Sequence, residues 1–202
     1  METIKRFFTL EGLDGAGTTT QCDLLAKRFA LEAVDAFLTA EPTNGPIGRL
    51  IRRILSGELP ASPKTIAHLF AADRCDHLDA ATTGIRARIE AGQTVVTDRY
   101  LISSLAYQSI DCGFDYVYSL NASFPVPEKV FFIAVSTETA IKRSEVRANL
   151  EIFENSPFQA AVSESYERAL RWAGEAGVSV VRIDGTMDPE AINEKIWSAI
   201  AC

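Results

Sequence analysis

Short runs of β-branched and aromatic residues recur along the chain. Each is followed by a longer segment whose apolar residues return every three or four positions. The runs fall at 5–10 (KRFFTL), 36–40 (AFLTA), 94–97 (TVVT), 130–135 (VFFIAV) and 178–183 (VSVVRI). Strands this apolar are buried on both faces, and strands separated by helices are joined by crossovers, which makes the sheet parallel. The expected fold class is therefore α/β: a five-stranded parallel sheet covered by helices on both faces. Helical periodicity predicts helices over 19–32, 47–55, about 137–147, about 158–173 and 189–200. It also predicts one long helix that starts at Pro63, tolerated in a first turn, and carries Ile66, Leu69, Phe70, Leu78, Ile85 and Ile89. With 202 residues and no repeat or linker, the chain reads as one domain over 1–202.

Several function classes are disfavoured early. No apolar run approaches the roughly 18 residues that a spanning helix needs, and no secretory signal is apparent at the N-terminus. The four cysteines, Cys22, Cys75, Cys112 and Cys202, lack metal-like or redox spacing. The expected location is the reducing cytoplasm, with Cys22 and Cys75 as packing residues. His68 and His77 have no metal-like partners in sequence and read as surface or supporting residues. With 20 basic and 27 acidic residues the net charge is −7. An acidic body is a poor general binder of nucleic acid or of an anionic membrane, and neither is expected as a partner. Fourteen of the twenty basic residues are nevertheless arginines, the side chain suited to bidentate capture of phosphate. A small phosphorylated ligand in a local basic pocket fits that balance.

In a parallel sheet, ligands bind at the carboxyl ends of the strands. Polar segments fall there after the first strand (Glu11 to Thr20), the second (Glu41-Pro42) and the third (Asp98-Arg99). The first segment, Gly12, Leu13, Asp14, Gly15, Ala16, Gly17, Thr18 and Thr19, has the spacing of a P-loop, G-x-x-x-x-G-K-[ST], with Thr18 in the lysine position. Glycines let backbone N–H groups turn inward around a phosphate chain, and the following helix N-terminus adds partial positive charge. Thr19 would supply the hydroxyl for Mg²⁺. The fold expected around such a loop is of the P-loop NTPase type.

Four segments in order also resemble the thymidylate kinase family. Residues 8–21 (FTLEGLDGAGTTTQ) are similar to its E-G-x-D-G-A-G-K-T-T-Q, and 98–108 (DRYLISSLAYQ) to its D-R-Y-x-x-S-x-x-A-Y-Q. Residues 69–74 (LFAADR) resemble L-F-x-A-D-R, and Glu41-Pro42-Thr43 resembles E-P-T/G. The resemblance implies transfer of the γ-phosphoryl of ATP to dTMP, with Mg²⁺ as cofactor, in a homodimer paired through long helices. It implies an ATP site of residues 12–20, Arg143, Asp184 and Gly185. The acceptor site would be Asp14, Pro42, Phe70, Arg74, Arg99, Ser103, Tyr107 and Gln108. Phe70 and Arg74 are four apart on one helix face, and a ring plus a bidentate donor suits a pyrimidine. Arg99 would bind the acceptor phosphate, and Tyr107 would pack on the deoxyribose and disfavour a 2′-hydroxyl. Asp14 would lie near the acceptor's sugar and phosphate. Asp98 would orient Mg²⁺ or its water, or hold Arg99, while Glu11 reads as structural or as part of the metal's surroundings.

Two departures stand out. Thr18 removes the ammonium that reaches the β- and γ-phosphates. In the lid segment, about 147–157, the family's D-R-F-E becomes Glu151-Ile152-Phe153-Glu154, without its arginine. Arg147, with Arg143 four residues before it, is the candidate replacement, so the expected catalytic set is Asp14, Asp98, Arg99 and Arg147. Two other readings stay open: a kinase for another nucleoside monophosphate or a deoxynucleoside, and a nucleotide-binding protein that has lost catalysis.

Overall fold

The computed structural model describes residues 1–145 and 156–200. Five strands, β1 (Thr3–Glu11), β2 (Ala36–Ala40), β3 (Thr94–Asp98), β4 (Val126–Ala134) and β5 (Ser179–Asp184), form one sheet in the order β2-β3-β1-β4-β5. All its pairings are parallel. The helices are α1 (Thr18–Leu31), α2 (Pro46–Leu55), α3 (Pro63–Asp79), α4 (Ile85–Glu90), α5 (Leu101–Tyr107), α6 (Ser109–Cys112), α7 (Phe114–Asn121), α8 (Thr137–Glu145), α9 (Ser156–Glu175) and α10 (Pro189–Ile200). The arrangement is the α/β fold of P-loop NTPase type.

Alternation along the central strands divides the core. Phe7 and Phe132 join one buried cluster with Leu105, Tyr166 and Ala169. Phe8, Leu10, Phe131 and Ile133 join the other with Leu25, Phe29 and Ile196. Side chains two apart share a face, so α5 and α9 cover one side and α1 and α10 the other. Register then sets the functional edge. Leu10 pairs with Asp98, which pairs with Ala40, so the segments after β1, β3 and β2 leave the sheet side by side.

The long helix expected from Pro63 through Ile89 is two helices. The chain leaves α3 at Asp79 and re-enters helix at Ile85. Leu78 and Ile85 keep their expected burial, but on separate helices. Gly84 closes the turn with its N–H on the Ala80 carbonyl at 2.8 Å. A Cβ there would lie 2.6 Å from the Leu78 carbonyl oxygen and 2.7 Å from Ala80 backbone atoms. Helices α5, α6 and α7 had little periodic signal, since every residue of α5 is buried and α6 has only four residues.

The Gly84→Ala variant is therefore expected to lose about 1–3 kcal/mol, measured by urea unfolding, because the obstructing atoms are backbone.

Candidate active site

Gly17 enters α1 in the left-handed conformation, φ 100°, and no side chain caps the helix. The first-turn N–H groups of α1 are thus unclaimed by a cap and aimed at the loop, the arrangement that attracts anions. Gly15, φ 88°, lies with its back against α8, where a Cβ would come 2.3 Å from the Ala140 carbonyl oxygen. Leu13 and Ala16 are buried in the apolar clusters, so their side chains face the core and only their backbone is available to a ligand. Thr18 is buried, while Thr19 and Thr20 are exposed.

Arg99 follows β3 in the left-handed region at φ 68°, with its N–H on the Leu10 carbonyl at 2.9 Å. Its guanidinium crosses to the glycine loop. Nη2 donates to Asp14 Oδ1 at 2.5 Å, and Nη1 donates to the Gly12 carbonyl at 2.9 Å, Tyr166 Oη at 3.0 Å and Ser103 Oγ at 3.3 Å. The guanidinium carbon lies 5.2 Å from the centre of the Tyr107 ring. Asp14 also accepts from Gln159 Nε2 at 3.3 Å. The ion pair offsets much of the cost of a carboxylate inside a phosphate loop.

Among the described residues, the neighbouring Asp98 makes no hydrogen bond to Arg99. Its Oδ2 accepts from the Thr19 hydroxyl at 2.7 Å, and its buried Oδ1 has no hydrogen-bond partner among the described residues. A hydroxyl beside a carboxylate with an unused oxygen is a donor set suited to Mg²⁺.

The second strand contributes a buried charge cluster. Glu41 accepts from Arg74 Nη2 at 2.6 Å, and its other oxygen lies 3.0 Å from His77 Nδ1. Arg74 also donates to Asn121 and to Ser104 Oγ. Arg74 was expected as a free bidentate donor to a base, but its terminal nitrogens are taken by protein. Only Nε lacks a partner among the described residues. Arg74 and Phe70 still line one pocket, with Asp14, Pro42, Arg99, Ser103, Tyr107 and Gln108. Gln108 is buried, with an Oε1 that has no partner among the described residues. A second cavity runs from Pro42 past Asp98 to Thr19.

On the far side of the loop, Arg143 donates to the Gly185 carbonyl at 3.1 Å. Asp184 is held in its own turn by the Thr186 N–H, 2.9 Å, and hydroxyl, 2.7 Å. Arg147, Ile152 and the expected lid up to residue 155 lie outside the described residues, and the lid's expected last residues, 156–157, begin α9. His77 is buried against Glu41, the supporting alternative of its two readings, while Cys75 is exposed rather than packed. Sequence reasoning missed Tyr166, Ser104, Asn121 and Gln159. Tyr166 lay in an apolar helical stripe, and only its hydroxyl distinguished it from core; the other three carried no signal.

Glu11 ends β1 fully buried. It accepts from the Tyr100 N–H at 3.0 Å and from the Ser103 hydroxyl at 2.5 Å. Burial pushes its carboxyl up to about 7, against the Ser103 hydrogen bond, the Arg99 charge and the Tyr100 N–H.

The thymidylate kinase family model matches residues 10–196. The chain belongs to the thymidylate kinase family. It is 36% identical over 199 residues to the "Putative thymidylate kinase" of Treponema pallidum (strain Nichols), covering 97% of this chain and 95% of that protein. It is 43% identical over 162 residues to the "Probable thymidylate kinase" of Methanocaldococcus jannaschii, covering 79% of each. In the family's terms, the site joins the phosphate loop, the D-R-Y segment and the L-F-x-A-D-R helix, which lie far apart in sequence.

Two measurements probe these charges. Glu11 has a raised folded pKa, so its favourable contribution is complete below its ordinary value of 4.5 and is lost as pH rises through about 7. Against Glu11→Gln, the native chain should lose about 3 kcal/mol across that window in chemical denaturation. Glu41→Ala strands Arg74 in the interior and should cost about 3–5 kcal/mol in the same assay.

Proposed function

We propose that the chain transfers the γ-phosphoryl group of ATP to dTMP, giving dTDP and ADP. An oxygen of the acceptor phosphate attacks Pγ, and the bond from Pγ to the β–γ bridging oxygen breaks. Such transfer asks a protein mainly to align two anions and to neutralise developing charge. The observation that carries the reading is Arg99. Its guanidinium stands between the glycine loop, through Gly12 and Asp14, and the pocket lined by Phe70, Arg74 and Tyr107. A group so placed can hold the acceptor phosphate beside a donor laid along residues 12–20.

Phe70 and the Nε of Arg74 are assigned to the pyrimidine, Gln108 and Pro42 to the same pocket, and Tyr107 to the sugar. Thr19 and Asp98 would hold Mg²⁺, which supplies charge neutralisation on the phosphates when bound. Arg143 and the 184–185 turn are assigned to the adenine side. The same reading carries a single domain with a lid near 147–157, a homodimer and a cytoplasmic location.

Thr18 sets the open chemical problem. A neutral hydroxyl cannot replace an ammonium beside the β- and γ-phosphates, and a lost contact of that kind costs about 10²–10³ in rate. We assign the replacement charge to Arg147; Arg143, which donates to the Gly185 carbonyl, serves the adenine side instead. The same residue favours a second reading, in which the chain binds nucleotides without turnover.

Purified protein with Mg-ATP and each nucleoside monophosphate in turn should release ADP with dTMP only. ADP release with a different acceptor would reassign the substrate. Thermal stabilisation by dTMP with no ADP would favour the binding protein. Arg147→Ala should lower kcat. Thr18→Lys should raise it if charge is what the loop lacks, and an unchanged rate would mean that another cation already serves.

A further inference from the structure

Glu11 has no part in the chemistry above, yet it is fully buried beside it. Its carboxylate makes no direct hydrogen bond to Arg99 among those described. It reaches the guanidinium through two hydroxyls. Oε2 accepts from Ser103 at 2.5 Å and from Tyr166 at 3.3 Å, and those same oxygens accept from Arg99 Nη1 at 3.3 and 3.0 Å. The two hydroxyls are 2.8 Å apart, and Tyr166 also reaches the Gly12 carbonyl at 3.0 Å.

We propose that Glu11 is a positioning residue for the acceptor phosphate, acting on Arg99 through the hydroxyls of Ser103 and Tyr166. This rests on the reading that Arg99 holds that phosphate. The argument is one of polarity. A carboxylate accepts and cannot donate. Ser103 has one proton, and giving it to Glu11 turns its lone pairs toward Arg99. The Tyr166 proton goes to Glu11, Gly12 or Ser103, so its oxygen also presents lone pairs to Nη1. Glu11 thereby orients Ser103 to accept from Arg99, and it is one of three groups that can take the Tyr166 proton and leave that oxygen accepting as well. Nη1 is pinned on the protein side, and Nη2 is shared between Asp14 and an incoming anion. Tyr100, held by the other carboxylate oxygen, adjoins Arg99 in the chain and ties the same anchor to its backbone.

Glutamine has nearly the same shape but the wrong polarity. With its oxygen kept on the Tyr100 N–H, its amide would donate to Ser103 and displace that hydroxyl proton to Tyr166 or toward Arg99, and the negative charge behind both hydroxyls would be gone. Titration calorimetry with dTMP and with thymidine, which lacks the phosphate, separates positioning from general damage. At pH 8, Glu11→Gln is expected to weaken dTMP binding by about tenfold or more and leave thymidine binding unchanged. Tyr166→Phe should move the same ratio in the same direction by less. Added to Arg99→Met, Glu11→Gln should cause no further loss. Equal weakening of both ligands, or of neither, while Arg99→Met still loses dTMP, overturns the proposal. If Arg99→Met keeps native dTMP affinity, the assignment of Arg99 fails instead. Should Glu11→Gln not fold, Tyr166→Phe decides, and an unchanged ratio of dTMP to thymidine affinity overturns the proposal.

Discussion

The guanidinium of Arg99 ties the polar ends of the glycine loop, α5 and α9 together above the apolar cluster they share. Its side chain is only 20% exposed, and it bonds to the glycine loop, to α5 and to α9. A backbone in the left-handed region at a non-glycine residue costs about 1–3 kcal/mol. That conformation persists here because the β1–β3 register holds the Arg99 N–H on Leu10 while the side chain is claimed from three sides. Without this crossing, the loop carboxylate of Asp14 would face a phosphate site uncompensated. The sheet thus determines where the arginine starts, and the arginine determines how loop and helices meet.

The acceptor pocket's wall follows the same logic with a different pair. Glu41 and Arg74 are both almost wholly buried, and desolvating two charges consumes most of what their attraction provides. Such a pair is a weak source of net stability. It is a strong constraint on geometry, because each partner must keep its other bonds: Arg74 to Asn121 and Ser104, Glu41 to His77. The network fixes α3 against the end of β2 and places Phe70 at the pocket. Its cost is a reduced set of donors, since both terminal nitrogens of Arg74 are engaged and, among the described residues, Nε is its nitrogen without a partner.

Thr18 shows how far backbone can substitute for side chain. The uncapped start of α1 and the inward N–H groups of a glycine loop supply partial charge without any ammonium. On a body of net charge −7, that local field has to overcome an unfavourable background. On the proposed reading, the donor end draws on these oriented dipoles together with Arg147, and the acceptor end on the half-buried guanidinium of Arg99 and the buried one of Arg74.

Period and composition are local properties, and what they control was legible. The five apolar runs read as strands, with the central ones buried and the edge strands β2 and β5 only partly so; the helices between them made the sheet parallel, and the glycine spacing after the first run pointed to a phosphate loop. The residues at the strand ends, Asp14, Asp98 and Arg99, could be named on that basis. Periodicity could not show the break at 80–84, because Leu78 and Ile85 keep the same spacing whether the helix continues or turns. Nor could it divide donors among partners. The pairing of Thr19 with Asp98, the engagement of Arg74 by Glu41, and the link from Glu11 to Tyr166 across 155 positions are set by packing. The chain by itself determined which chemistry was present and on which edge of the sheet. Only the tertiary structure decided which hydrogen bonds that chemistry has left to give, because a buried donor is defined by its neighbours, and neighbours so distant in sequence leave no periodic trace.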